Sequence, residues 1–242
     1  MILTLNLGVR VLLGMGFVLS LIGMATSWAM PGSLVSYLQQ LPLNVHFMQV
    51  EHMYLWERHV TFKAFFRLLL QGRDAGEALL STQIFTVFTC GCFGLALLIA
   101  ALRTRKQVDC PWSGETRAGS RDRLIAATIA TMPLLMPFYF DYDLLLLAVP
   151  ATLFAAEMIR RNPELPATRG QRWIVRLWGM LFVWMMFNPG LARAIHVNGT
   201  VMLASVLSAM LIARAGLYQV IVHHGKDEAK GPAIDTMLRQ AA

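Results

Sequence analysis

The chain has 242 residues, of which 56% are hydrophobic and only 14% are charged, and its net charge is +7. Soluble domains carry about 25% charged residues, so this composition excludes a disordered chain, a nucleic-acid-binding domain with a solvated core and an ordinary cytosolic enzyme. The three cysteines provide no disulfide framework.

Six apolar stretches indicate helices that cross the ~30 Å hydrocarbon core of a bilayer. A signal peptide is an alternative for the first stretch, but no basic residue precedes it. The sequence therefore predicts an all-α polytopic membrane protein, with one transmembrane domain over residues 1–222 and a tail over 223–242. The predicted spans are residues 8–30, 78–102, 124–140, 144–159, 173–187 and 200–222.

Basic residues concentrate in the segments 103–123 and 160–176 and in the tail. By the positive-inside rule these parts face the cytoplasm, so both termini are predicted to be cytoplasmic and the protein to lie in the cell (plasma) membrane. Three connections then lie outside, at 31–77, 141–143 and 188–199.

The outer segment 31–77 carries four basic residues against the rule, and an anionic ligand there is one explanation. Phe62, Phe65, Phe66 and Leu69 cover one face of a predicted interfacial helix that ends near Gly72. One interpretation is that its cations reach lipid headgroups. The other is a phosphate site for a lipid-linked substrate. The candidate ligands in this segment are Arg58, His59, Lys63 and Arg67.

The turn between the third and fourth predicted spans carries two carboxylates beside an aromatic ring. We expect Asp141, Tyr142 and Asp143 to bind substrate, through sugar hydroxyls, a divalent cation or a basic partner. An alternative is that Asp143 only caps a helix beginning at Leu144. Pro133 and Pro137 break the preceding span, so its outer half is expected to line a polar cavity.

Two glutamates are the candidate general bases, because Glu51 and Glu57 are the only acids between Met1 and Phe66. Arg193 and His196 are spaced i, i+3 in the third outer connection and are further candidate substrate ligands. Asn198-Gly199-Thr200 after them matches a glycosylation sequon. No motif typical of a resident metal or nucleotide cofactor is present in the sequence.

The run Pro137-Phe138-Tyr139-Phe140-Asp141-Tyr142-Asp143, followed by four leucines, resembles the family 87 glycosyltransferases of the GT-C superfamily. Trp56 through Gly72 resembles the outer segment of that family, and the likeness covers residues 45–160 in order. It implies transfer of a hexose, mannosyltransferase-like, from a polyprenyl-phosphate donor to a glycan or lipid acceptor on the outer face.

The family uses a carboxylate in its first outer loop as the base, whereas no acid precedes Glu51 here and the chain is shorter. The resemblance therefore implies the carboxy-terminal portion of such an enzyme. A non-catalytic membrane subunit that binds lipid-linked sugar is the alternative. A transporter or flippase is a third, which the absence of an inverted repeat disfavours. The expected partners are the lipid bilayer, the polyprenyl-phosphate-linked sugar and the acceptor, and no nucleic acid.

The predicted orientation is tested by labelling with a membrane-impermeant thiol reagent. In a chain whose Cys90 and Cys92 are replaced by alanine, Cys110 should stay unlabelled in intact cells, because the loop 103–123 is expected to be cytoplasmic. Tyr142→Cys in the same background should label from outside. Labelling of Cys110 in intact cells would reverse the orientation.

Overall fold

The computed structural model describes residues 9–52, 54–74, 76–108, 117–160 and 166–230, and these are mostly helical. The α-helices are α1 Val9–Ala29, α2 Ser33–His46, α3 Phe62–Gln71, α4 Leu80–Val108, α5 Arg117–Leu135, α6 Ala148–Arg160, α7 Arg169–Ile195 and α8 Gly199–Lys230. A π-turn at Phe47–Glu51 and 3-10 segments at Trp56–Arg58 and Asp141–Leu147 complete the described helical structure.

Four helical segments of the described chain are long and apolar enough to cross a membrane. A fifth crossing is added if α1 and the following helix, which meet at an angle of 105°, count as one broken span. The prediction of a helical chain with several helices able to cross a membrane is thereby confirmed for the described residues, whereas the count of six spans is not. The four segments are Leu80–Thr104, Asp141–Arg160, Arg169–Ile195 and Gly199–Gly216.

The third predicted span differs most from the structure. The helix α5 ends at Leu135, not at residue 140, because Pro137 disfavours helical backbone in the residue before it. Its first turns carry charge, so the apolar part, from Leu124 to Leu135, is only about 18 Å long. That length is short of the ~30 Å core. Pro133 lies inside the helix.

The helix α8 is the centre of the bundle and packs against α4, α5 and α7. Its buried face includes Ala204 and Leu207, and the facing side of α5 presents Ala127 and Ala130. Small side chains allow two membrane helices to approach closely. At this contact the Ser208 hydroxyl donates a hydrogen bond of 2.9 Å to the Ala130 carbonyl on α5.

The three connections predicted to be external meet at one end of the bundle, which we call the loop end (residues 54–74, 136–143 and 196–200). The backbone N–H of Val60 donates to the carbonyl of Tyr139 at 2.8 Å. The side chain of Asn198 donates to the carbonyl of His59 at 2.9 Å. Residues far apart in sequence therefore form one structural unit here.

The opposite end, which we call the arginine end, brings together charged residues near the start of α5, at the end of α6 and in the middle of α8. Glu157 accepts hydrogen bonds from Arg123 at 2.9 Å and from Arg214 at 3.0 Å. Arg160 pairs with Asp122 at 3.0 Å. The helix ends predicted to share one side of the membrane thus lie together.

The close approach of α7 and α8 depends on Gly199. An added Cβ there would lie 2.5 Å from Nε1 of Trp184, whose ring donates to Asn188 at 3.1 Å. Gly199→Ala should therefore displace the indole and cost about 1–3 kcal/mol of stability, the usual penalty of overpacking. Thermal unfolding in detergent measures the loss.

Gly179→Ala is the matched control, because Gly179 lies in α7, the helix that carries Trp184, and nothing lies within 4 Å of an added Cβ. This variant should be as stable as the parent or up to about 1 kcal/mol more stable, since alanine favours a helix over glycine. Equal stability of the two variants would contradict a tight contact at Gly199.

Candidate functional site at the loop end

The indole of Trp56 is the centre of the loop end. Its side chain is buried, and Tyr54 packs against it edge-on with ring centroids 4.9 Å apart. The imidazole of His59 lies 6.2 Å from it, the ammonium of Lys63 5.9 Å and the guanidinium of Arg67 5.5 Å. We call these five residues the Trp56 cluster. Its contents, two cations over an aromatic ring, suit an anionic ligand.

Local sequence explains how helix α3 places the two cations. Thr61 caps the helix, accepting a hydrogen bond from the N–H of Ala64 at 3.1 Å. Gly72 ends it with a φ of +68°, a backbone conformation that favours glycine. Lys63 and Arg67 are four residues apart and so share one face.

That face points into the protein, which disfavours the interpretation that its cations reach lipid headgroups. Arg67 is 1% exposed, whereas the apolar Leu69 and Leu70 of the same helix are exposed. The helix face turns inward because the two cations contact the ring of Trp56 and donate hydrogen bonds to neighbouring carbonyl and amide oxygens. His59 is not on this helix, since it lies before the cap with extended backbone.

Lys63 is half-buried and has a neutral hydrogen-bond partner. Its Nζ donates to Oε1 of Gln49 at 3.0 Å and lies 5.7 Å from the ring of Phe138. Burial, and secondly the charge of Arg67, lower the pKa of Lys63 below its usual value. The structure describes no carboxylate within ion-pair distance of this ammonium.

Arg67 is held by oxygens that carry no formal charge. It donates to Oε1 of Gln71 at 2.9 Å and to the carbonyls of Asp74 and Gly76 at 3.2 and 2.6 Å. These bonds immobilise the guanidinium, so Arg67 contributes positive charge from a fixed position. Among the described residues it too has no ion-paired carboxylate.

His59 is enclosed by rings. Its imidazole lies 4.1 Å from Phe140 and 5.0 Å from Tyr54, and it is 1% exposed. Burial lowers the pKa of His59 to about 4, although Asp141 partly opposes the shift, so the ring is neutral at pH 7. Its Nε2 has no hydrogen-bond partner in the described protein.

The two candidate bases occupy different environments. Glu57 is 4% exposed, and its Oε1 lies 3.3 Å from Nη2 of Arg73. Its Oε2 is buried without a hydrogen-bond partner in the described protein. Glu51 is exposed, with Oε1 4.0 Å from Nε2 of His46. Of the two carboxylates, only Glu57 is enclosed beside the Trp56 cluster.

The Asp141-Tyr142-Asp143 turn begins a 3-10 segment, and its two carboxylates take different partners. Asp141 accepts from Nε and Nη2 of Arg58 at 3.3 and 3.2 Å. Asp143 is the third residue of the 3-10 segment and accepts from the N–H of Phe140 at 3.2 Å, so it does not cap a helix at Leu144. Tyr142 is exposed and stacks on Phe140.

Asn198, which was predicted only as part of a sequon, organises the site. It is fully buried, and its amide donates to the carbonyls of Glu57 and His59 at 3.2 and 2.9 Å. Its Oδ1 accepts from the N–H of Thr200 at 3.1 Å, as an N-cap does. Such a side chain is closed to glycosylation in the folded protein. The sequence signal for this N-cap was an asparagine just before an apolar run.

Arg193 and His196 lie at the edge of the site. Both are exposed, and the backbone of His196 is left-handed, with its ring against Gly72. Ala192, one turn earlier, is fully buried and packs in the same core cluster as Trp56. The end of α7 therefore supports the site from below while the two predicted ligands face outward.

The described residues contain no group of three or more His, Cys, Asp or Glu side chains arranged to hold a metal ion. No family model matches the chain, and it has no match among curated proteins or solved structures. The function therefore has to be inferred from the residues of the site.

The buried imidazole predicts a dependence of stability on pH. The unfolded state, in which His59 titrates near 6.5, binds more protons than the folded state between pH 6.5 and about 4. The buried neutral ring makes its full contribution to the free energy of unfolding above pH 6.5, and this contribution is lost as the pH falls toward 4. The thermal midpoint should therefore drop on going from pH 7 to pH 5.

His59→Gln should reduce that drop, because the buried titrating group is gone. His52→Gln is the matched control, since His52 is exposed and packs only on Phe47 at the described contacts. An identical pH dependence in the parent and in His59→Gln would show that the imidazole is not the cause.

Proposed function

We propose that this protein binds the phosphate of a lipid-linked sugar at the Trp56 cluster and serves hexosyl transfer at the membrane surface. The observation that carries the proposal is that two neighbouring cations have no ion-paired carboxylate among the described residues. These cations, Lys63 and Arg67, lie together in a largely buried site. Buried charges in proteins are normally paired, so an anion is the missing partner.

The surroundings favour a ligand with a lipid part. The exposed residues Leu69, Leu70 and Phe138 lie on or beside α3, within a chain whose long helices are apolar. A phosphate at Lys63 therefore leaves an attached polyprenyl chain free to lie along apolar surface. A nucleic acid would require an extended basic surface outside the bilayer, which the composition disfavours.

The groups expected to contact the rest of the substrate lie on the exposed side of the cluster. The Arg58–Asp141 pair presents charged hydrogen-bonding groups, and the exposed ring of Tyr142 stands beside it. Polar groups next to an aromatic face suit a sugar or a hydroxylated acceptor. These roles, together with those of Arg193 and His196, remain predictions.

Transfer requires a base at the acceptor hydroxyl, and neither glutamate is well placed to act alone. Glu57 is tied to Arg73, and Glu51 is exposed beside His46. General-base catalysis contributes about 10²–10⁴-fold in rate. We therefore propose that the chain binds a polyprenyl-phosphate sugar and by itself turns it over slowly, as a hexosyltransferase component or a binding subunit.

The membrane arrangement is part of the same proposal. Six spans, cytoplasmic termini and a loop end on the outer face of the plasma membrane would place the Trp56 cluster where polyprenyl-phosphate sugars serve extracytoplasmic transfer. The collection of the three outer connections at one end of the bundle supports it. No observation favours a transporter.

Binding of a polyprenyl phosphate to the purified protein tests the central step. Lys63→Gln should weaken binding at least about tenfold, because a half-buried charge-assisted contact is worth roughly 1.5–3 kcal/mol. Lys63→Arg should restore part of the affinity by keeping the charge. Added salt should weaken parent binding more than Lys63→Gln binding.

Arg103→Gln removes one positive charge from an exposed position in α4, far along the chain from α3, and is the matched control. It should leave affinity unchanged. Equal affinity in the parent and Lys63→Gln would contradict the proposed site. Rapid turnover by the parent that is lost in Glu57→Gln or Glu51→Gln would identify that glutamate as the base. It would also contradict the proposal that this chain turns its ligand over slowly.

A further inference from the structure

Beside the Trp56 cluster lies a buried acid–base pair that the phosphate site does not use. The side chains of Glu57 and Arg73 are 5% and 20% exposed, and one carboxylate oxygen, Oε1, lies 3.3 Å from Nη2 of Arg73. The second carboxylate oxygen, Oε2, and Nε of Arg73 are both buried and have no hydrogen-bond partner in the described protein. Leaving such atoms unpaired is costly.

The hydrogen-bonding properties of the two unpaired atoms indicate which chemical group binds them. Oε2 of Glu57 only accepts a hydrogen bond, and Nε–H of Arg73 only donates one. A hydroxyl group does both, so a single hydroxyl, or two on neighbouring carbons, satisfies the pair. A phosphate would be repelled by the carboxylate, and an ammonium would leave the guanidinium unpaired. The pair is complementary to a neutral hydroxylated group.

The fold places this pair next to the phosphate site. Glu57 follows Trp56 in the chain, and its carbonyl is held by the amide of Asn198 at 3.2 Å. Arg73 precedes Asp74, whose carbonyl accepts from Arg67 at 3.2 Å. The partial exposure of Arg73 and of Gly72 beside it brings one edge of the pair to the protein surface at the end of α3, while Oε2 and Nε themselves lie just beneath that surface.

We infer that the Glu57–Arg73 pair is a hydroxyl-binding subsite that recognises the sugar of the ligand whose phosphate binds at Lys63. This inference rests on the proposed function and extends it, because it assigns a preference for sugar-bearing over bare lipid phosphates. Glu57 accepts a hydrogen bond from a sugar hydroxyl, and Nε of Arg73 donates one to it. No covalent step is involved.

The experiment compares the affinity of the purified full chain for bare polyprenyl phosphate with its affinity for the mannosyl and glucosyl derivatives. The parent should prefer at least one hexose-bearing lipid. Glu57→Gln should reduce that preference roughly tenfold or more, the usual effect of losing a hydrogen bond to a charged group. Its affinity for bare polyprenyl phosphate should change little.

Arg73→Lys provides a second, independent variant. It keeps a positive charge for Glu57 but lacks the Nε donor, so it should also lower the sugar preference. Lys63→Gln should weaken both classes of lipid in the same proportion. Glu77→Gln is the matched control, because Glu77 is an exposed acid close in sequence to Arg73, and it should keep the preference.

The outcomes separate this inference from the proposed function. Binding of bare polyprenyl phosphate without any preference for the hexose-bearing lipids overturns the subsite and leaves the phosphate site standing. So does a preference that survives in both Glu57→Gln and Arg73→Lys. Failure of the parent to bind any of the lipids overturns both. If Glu57→Gln lowers the thermal midpoint sharply, Arg73→Lys decides the question.

Discussion

The amide of Asn198 joins parts of the chain that are about 140 residues apart, and the loop end depends on it. In a bilayer every backbone polar group needs a partner within the protein. The connection before α3 has only a short 3-10 segment, whose local hydrogen bonds use the carbonyls of Tyr54, Leu55 and Trp56. Asn198 supplies donors to two further carbonyls, at Glu57 and His59, while its oxygen caps α8. One side chain thereby sets the backbone that carries Trp56 and ties it to the central helix of the bundle.

The described ion pairs link helices at the arginine end, whereas the loop end combines two ion pairs, Arg58–Asp141 and Arg73–Glu57, with two cations that have none. At the arginine end Glu157 receives both Arg123 and Arg214, and Asp122 receives Arg160. There the charges link three helices to one another. At the loop end Lys63 and Arg67 contact neutral oxygens and aromatic rings, and neither pairs with a carboxylate among the described residues. The same residue types stabilise the fold at one end and leave a positive potential for a ligand at the other.

The arrangement of the site favours binding of a ligand over transfer of a group from it. Its cations, rings and amides are fixed by packing and hydrogen bonds, a pre-organised arrangement that favours holding a ligand. Its acids are engaged: Asp141 by Arg58, Asp143 by the backbone of Phe140 and Glu57 by Arg73. A carboxylate that already serves a structural partner is a poor proton acceptor unless that partner moves. This is the physical reason for proposing ligand binding with slow turnover.

Hydropathy and charge placement were sufficient to predict a helical chain with several segments able to cross a membrane, the approximate helix positions and the meeting of three loops at one end of the bundle. These features follow from the length and apolar content of each segment and from short-range signals such as Gly72, which ends α3 as expected. Pro137 also carried the information that α5 ends early, but the long apolar run around it masked that signal.

Only the tertiary structure decided what each site residue contacts. Helix periodicity placed Lys63 and Arg67 on one face, yet nothing local showed that this face turns inward onto Trp56. The partner of Asp141 is Arg58, 83 residues away, and the partners of Asn198 are more distant still. Hydropathy patterns depend on residues that are close in sequence, whereas these contacts depend on how the helices pack. The residue types of the site were therefore predictable from the sequence, and their pairings were not.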